Sequence, residues 1–124
     1  MSVSLSVGEK APSFKLPSES GETVTLASLK GRKVVLYFYP KDDTSGCTKE
    51  AIAFNALKKK FEAAGATIIG VSPDSVESHA RFSSKHKLAL TLLSDEAKAM
   101  LEAYGVWKEK SMYGRKYMGV ERTT

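Results

Sequence analysis

Residues 34–50 read Val34-Val35-Leu36-Tyr37-Phe38-Tyr39-Pro40-Lys41-Asp42-Asp43-Thr44-Ser45-Gly46-Cys47-Thr48-Lys49-Glu50. The first six are apolar or aromatic without alternation, which predicts a central strand covered on both sides. Pro40 cannot donate to a sheet ladder and ends it. After a polar loop, Thr44–Ala64 carries a helical period: Cys47, Ala51, Phe54, Leu57 or Lys58, and Phe61 fall near one stripe, and Gly65 stands where helices commonly end. The stretch is a strand, a loop and a helix N-terminus, and its cysteine sits in the helix's first turn.

The same punctuation continues outward. Upstream, Phe14–Leu16 and Thr23–Leu26 read as short strands around a turn at Gly21. Downstream, Thr67–Val71 is a second buried strand. Ser72-Pro73-Asp74 opens a helix, with Asp74 as its expected cap and Glu77 at capping-box spacing. Leu90–Leu93 is a third strand, Ser94-Asp95 caps a helix through Tyr104, and Tyr117–Thr124 looks like a last strand with no partner after it. Strands alternating with helices predict an α/β fold with a central, partly parallel sheet flanked by helices on both faces. No repeat or low-complexity tract interrupts it.

The 124 residues suit one domain, and 42% hydrophobic with 27% charged residues is ordinary for a globular chain that can bury its own core. The net charge of +5 (19 Lys and Arg against 14 Asp and Glu) is scattered, with one local run at Lys58-Lys59-Lys60. Nucleic-acid binding wants a basic stripe interleaved with aromatics, so none is expected; a solvated helix face accounts for the lysines. No segment approaches the roughly 20 apolar residues of a membrane span. Met1–Lys10 has neither the basic leader nor the apolar run of a secretory signal. The single cysteine cannot form an internal disulfide, and a cytoplasmic location is expected. His79 and His86, read as lacking carboxylate or cysteine neighbours, make a poor metal site. No phosphate-binding glycine loop is present. No cofactor is expected. Tyr104, Trp107 and Met112 read as packing around the mouth of the site.

Chemistry is expected at Cys47. The carboxyl ends of strands in open α/β sheets collect binding sites, and a helix N-terminus offers unpaired N–H groups and a positive dipole end, both of which favour a thiolate. Thr44 puts a hydroxyl one turn before the sulfur, and Gly46 admits a close approach to the backbone. A lone buried cysteine is otherwise a common packing residue.

The segment Pro40-x-x-x-Thr44-x-x-Cys47 resembles the active-site motif of the peroxiredoxins. The fuller string from Phe38 to Glu50 is similar to one subgroup, the bacterioferritin comigratory proteins or peroxiredoxin Q. Further matches are Gly70-Val71-Ser72-x-Asp74-Ser75 with Ser78-His79, Ser94-Asp95, Lys108–Gly114, and Gly119-Val120-Glu121-Arg122-x-Thr124. The resemblance implies a thioredoxin-like fold over residues 1–124, a single domain from which the family's C-terminal strand and helix are missing, so that one sheet face is partly uncovered. It implies reduction of hydrogen peroxide and organic hydroperoxides through a sulfenic acid on Cys47, regenerated by thioredoxin, glutaredoxin or another thiol, in a monomer or weak dimer. It gives Thr44 the task of holding the peroxide, Pro40 that of shielding the site, and Arg122 that of stabilising thiolate and leaving oxygen. Arginine suits that last role because it stays charged and presents donors in fixed geometry. Glu50 is expected to orient Arg122 or Thr44.

The chain departs from the subgroup in three ways. Ser45 stands where proline is usual. The C-terminal continuation is absent. And no resolving cysteine exists: Ile52 occupies one subgroup position, and Ser83-Ser84 the other. Either a single cysteine works with an external thiol, or Ser83 or Ser84 replaces a cysteine. Two rival readings are a thiol–disulfide oxidoreductase, which would want a second cysteine where Glu50 stands, and a non-catalytic holdase or interaction module with a structural cysteine.

Overall fold

The computed structural model describes residues 6–124; of the N-terminal reading, the part on Met1–Leu5 lies outside the described residues. The side chain of Met112, and with it the packing expected there, also lies outside them.

The strands are β1 (Lys15–Pro17), β2 (Thr23–Thr25), β3 (Lys33–Phe38), β4 (Ala66–Ser72), β5 (Thr91–Ser94), β6 (Trp107–Met112) and β7 (Arg115–Val120). The helices are α1 (Ser45–Ala63), α2 (Val76–His86) and α3 (Ala99–Ala103). β3, β4 and β5 pair in parallel with β4 central, register running Val34↔Thr67 and Gly70↔Leu92. The antiparallel β1–β2 hairpin joins β5 through the Ser18↔Leu93 bridge. The antiparallel β6–β7 hairpin joins β3 through Phe38↔Thr123. The mixed, partly parallel sheet expected from the sequence is therefore present.

Parallel neighbours need crossover connections, and β3→β4→β5 steps twice in one direction, so α1 and α2 land on the same face. Strand side chains alternate. Tyr37, Tyr39, Ile68 and Leu92 point to that face and form a core with Cys47, Ala51 and Phe82. Phe38, Ile69, Val71 and Leu93 point to the other, where they meet Met100 and Leu101 of α3 and Val106. Leu92 and Leu93 are wholly buried, and each contributes about 1.5–3 kcal/mol. A substitution at Gly70 would break the first layer, since a Cβ there would lie 2.7 Å from the Tyr37 ring.

Several local expectations need correcting. The stripe of α1 runs through half-buried Lys58, while Leu57 is 41% exposed. Ser75, not Asp74, caps α2: its hydroxyl accepts from Ser78 N–H at 3.1 Å. The Asp74 carboxylate is drawn away to Ser72 and Asp42 instead. α3 is one short turn, Ala99–Ala103, anchored where the Asp95 carboxylate accepts from Leu101 N–H at 2.8 Å. The last strand runs Arg115–Val120, not Tyr117–Thr124, and pairs with a strand before it, β6, whose alternating lysines and glutamate hide a strand that only its pairing with β7 defines. Tyr104 and Trp107 pack into the core on the face opposite Cys47, not around the site, with the Tyr104 hydroxyl bonded to Pro12 C=O at 2.7 Å. On that face a hollow of about 510 Å³ remains beside β3, lined by Val34, Leu36, Phe38, Tyr104 and Val106. Among the described residues no helix is long and apolar enough to cross a membrane.

Candidate active site

The carboxyl ends of β3, β4 and β5 deliver three loops to one end of the sheet, and Phe38↔Thr123 brings the chain beyond β7 beside them. Tyr39 N–H still donates to Val71 C=O at 3.1 Å, so the sheet holds the backbone up to the residue before half-buried Pro40. Asp43 adopts the left-handed conformation (φ 59°) that swings the chain from the strand into α1. This is an uncommon backbone for a non-glycine residue, though aspartate tolerates it better than most. Asp43 is held by its carboxylate, which meets Lys85 Nζ at 2.6 Å and His86 Nε2 at 2.9 Å. His86 and then Lys85 keep that exposed carboxyl below the usual carboxylate range.

Thr44 is the N-cap residue of α1, but its side chain caps no N–H group. The hydroxyl donates backwards to Lys41 C=O at 2.9 Å. The first turn of α1 thus keeps its backbone donors and positive end available to another group. Cys47, the third residue of the helix, is 1% exposed. Arg122 Nη2 donates to its sulfur at 3.2 Å, and Nη1 donates to Glu50 at 2.9 Å. Burial alone would lower the guanidinium's pKa, but the bond to Cys47 and the charges of Cys47 and Glu50 outweigh it and raise it. Gly46 makes room for this arginine: a Cβ there would lie 3.3 Å from Nη2. Cys47, Arg122 and Glu50 therefore meet in one cluster. Of the two tasks expected for Glu50, its contact is with Arg122. Thr44 lies one turn earlier on the loop, bonded to Lys41. Ser83 is half-buried with a hydroxyl that finds no partner among the described residues, whereas Ser84 is exposed.

The histidines do have carboxylate neighbours, contrary to expectation. Beneath the loop, the Asp42 carboxylate accepts from the Tyr39 hydroxyl at 2.6 Å and the Ser78 hydroxyl at 2.8 Å, and faces His79 Nδ1 at 2.7 Å. The other His79 nitrogen faces Leu93 C=O at 2.9 Å. Asp42 N–H donates to the Asp74 carboxylate at 2.8 Å, which also accepts from the Ser72 hydroxyl at 2.7 Å. Burial, reinforced by Asp42, pushes the Tyr39 phenol far above its ordinary value. Asp42, Asp74 and His79 bring three potential metal-ligand atoms together, but each is already engaged in these bonds. A signal for this network was Tyr39 at the end of a buried strand, since a buried phenol needs a partner; the Tyr37 hydroxyl, buried two residues earlier, finds none among the described residues.

A cysteine held against an arginine at an open helix N-terminus can attack an electrophilic oxygen, and comparison with known proteins places the chain among enzymes that do so, the thiol-dependent peroxidases. The chain belongs to the AhpC/TSA family, which it matches over residues 7–124. It is 51% identical over 122 residues to the putative peroxiredoxin bcp of Coxiella burnetii, covering 98% of this chain and 81% of that one. A solved structure of a Cys→Ser variant of Xylella fastidiosa PrxQ superposes with a TM-score of 0.85 at 37% identity, over 98% of this chain and 74% of the other. The Xanthomonas campestris bacterioferritin comigratory protein superposes with a TM-score of 0.83 at 48% identity, over 88% and 69% of the two chains; that protein's structure was solved to explain its alkyl peroxide reduction. The resemblance to the peroxiredoxin Q subgroup and the thioredoxin-like fold are thereby both established.

Proposed function

We propose that Cys47 is the residue that attacks the peroxide, and that Thr44, Arg122, Pro40 and Glu50 serve it. The supporting observation is the 3.2 Å bond from Arg122 to the Cys47 sulfur at a helix N-terminus that no side chain caps. In the proposed step the sulfur attacks one peroxide oxygen. An S–O bond forms, the O–O bond breaks, and the departing hydroxide or alkoxide takes a proton and leaves as water or alcohol. Charge moves from sulfur to the leaving oxygen, so donors fixed in advance lower the barrier. Arg122 supplies such a donor at Nη2, aimed by the bond from Nη1 to Glu50. The Thr44 hydroxyl has committed its proton to Lys41 C=O, which leaves its oxygen to accept from the peroxide O–H. Pro40 carries no N–H and keeps that side of the loop dry.

Hydrogen peroxide and organic hydroperoxides are the proposed substrates, and thioredoxin, a glutaredoxin or a small thiol the reductant of the sulfenic acid. No cofactor takes part. We place the chain in the cytoplasm as one domain, monomeric or weakly dimeric. Ser83 rather than Ser84 is proposed to stand at the resolving-cysteine position, because a hydroxyl buried without a partner is costly, whereas a thiol is a weak donor that tolerates an apolar setting. The test is the rate of Cys47 oxidation by hydrogen peroxide at neutral pH, with mass spectrometry of the product. A rate orders of magnitude above that of free cysteine, with one oxygen added, supports the assignment. A rate equal to that of free cysteine overturns it.

A further inference from the structure

The buried group that the proposed reaction leaves unused is His79, a wholly enclosed imidazole on α2. Its two nitrogens face a carboxylate oxygen at 2.7 Å and a backbone carbonyl at 2.9 Å. The Tyr39 hydroxyl also lies 3.3 Å from Nδ1, but its proton goes to the Asp42 carboxylate at 2.6 Å; carboxylate and carbonyl cannot donate, so the geometry assigns a proton to each ring nitrogen, an imidazolium. The Asp42 carboxylate that it holds belongs to the residue whose N–H forms the Lys41–Asp42 peptide. That same rigid, planar unit presents its C=O to the Thr44 hydroxyl at 2.9 Å and its N–H to Asp74 at 2.8 Å. Turning this peptide would break both bonds at once and release the Thr44 hydroxyl.

We propose that His79 is a positioning residue for peroxide reduction: as an imidazolium it clamps Asp42, which fixes the Lys41–Asp42 peptide and so aims the Thr44 hydroxyl at the peroxide. This bond depends on the proton that the ring carries. Around His79 stand the Asp42 carboxylate from the loop, the Tyr39 hydroxyl from the end of β3, Asp74 from the end of β4, Ser78 on its own helix, and Leu93 C=O from β5. Burial works against the charged ring, but the hydrogen bond and charge of Asp42 prevail and raise its pKa. Raising the pH past that value removes one of the two N–H donors and leaves two acceptors opposed.

The inference rests on the assignment of Cys47 and Thr44 above, and the experiment separates the two. In the full chain, the rate constant of Cys47 oxidation by hydrogen peroxide is measured with and without Thr44→Val, in the His79 and the His79→Gln backgrounds. Glutamine can keep only one of the two donors. With His79 present, Thr44→Val should cost about tenfold, the value of one well-placed hydrogen bond. With His79→Gln it should cost less than about twofold, as expected when two residues act through one another. A second series follows the same ratio in the unchanged background from about pH 6 to about pH 9; the ratio cancels any pH dependence the two proteins share, and it should fall as pH rises. A purely structural His79 would lower the urea midpoint and leave the ratio at its original value in both series, which overturns the proposal. Should His79→Gln fail to fold, the pH series decides alone. A parent chain no faster than free cysteine defeats the peroxidase assignment itself; a fast parent with an unchanged ratio defeats only the role of His79.

Discussion

Replacing Arg122 by methionine removes both of its bonds while keeping a side chain of similar reach. Two unit charges 3.2 Å apart attract by about 5 kcal/mol at an effective dielectric of 20 and by about 1.3 kcal/mol in water. The arginine side chain is 41% exposed, so the true value lies towards the lower figure. Loss of one preorganised donor to a developing oxyanion typically costs about 2.7–4 kcal/mol in buried sites. With exposure discounted, about 2–3 kcal/mol of transition-state stabilisation should go, a slowing of roughly 30- to 150-fold. The substitution also leaves Glu50, whose side chain is 21% exposed, unpaired beside the sulfur, where its charge repels the negative charge passing to the leaving oxygen. Arg122→Met combined with Glu50→Gln should therefore recover part of the loss. The assay is stopped-flow oxidation of Cys47 by hydrogen peroxide at neutral pH, with circular dichroism to confirm folding. A folded Arg122→Met protein within about threefold of the parent would refute the reasoning, because the contact would then be worth less than a surface ion pair.

Gly46→Ala should separate stability from rate. Alanine favours a helix by up to about 1 kcal/mol, yet its Cβ would crowd Arg122 at 3.3 Å, so the melting temperature should hold or rise while peroxide oxidation slows several-fold. Ser83→Ala removes a buried hydroxyl that has no partner among the described residues and should raise the urea midpoint, by up to about 1 kcal/mol of stability; a fall would mean that the hydroxyl is satisfied in solution. The clamp at His79 predicts a pH dependence of stability. A histidine whose folded pKa is raised adds stability that is fully present below its unfolded value, about 6.5. That stability is lost as pH rises through the higher folded value. Urea unfolding of the parent should show this decline, and His79→Gln should flatten it.

The features legible in the sequence were those encoded over a few neighbouring residues. The run from Val34 to Tyr39, the stop at Pro40 and the period of α1 each follow from local chemistry, and together they place Cys47 at a strand's end and a helix's start. β6 was illegible because its charged residues suit an exposed edge and carry no apolar alternation. Its strand character comes from the hydrogen bonds of β7. Asp74 has the composition of a cap, and only the arrival of Asp42 N–H and the Ser72 hydroxyl shows why Ser75 caps α2 instead. Arg122 was singled out by its motif, since nothing in its own spacing announces a partner. The pairing of His79 with Asp42 had no signal in either residue alone: the two stand 37 positions apart, and the fold creates the environment that makes them a pair.

The bond from Arg122 to Cys47 spans 75 residues of chain, and this has a consequence for biosynthesis. At about 5–20 residues per second, a ribosome takes roughly 4–15 s to travel from the cysteine codon to the arginine codon. Throughout that interval α1 can form, but Arg122, to which we assign the stabilisation of the leaving oxygen, does not yet exist. On that assignment a nascent chain lacks the guanidinium's contribution and reacts with peroxide more slowly than the folded protein. On the same assignment, full reactivity waits until the chain beyond β7 closes against β3 at Phe38↔Thr123, so that fast reaction with peroxide would report an assembled sheet.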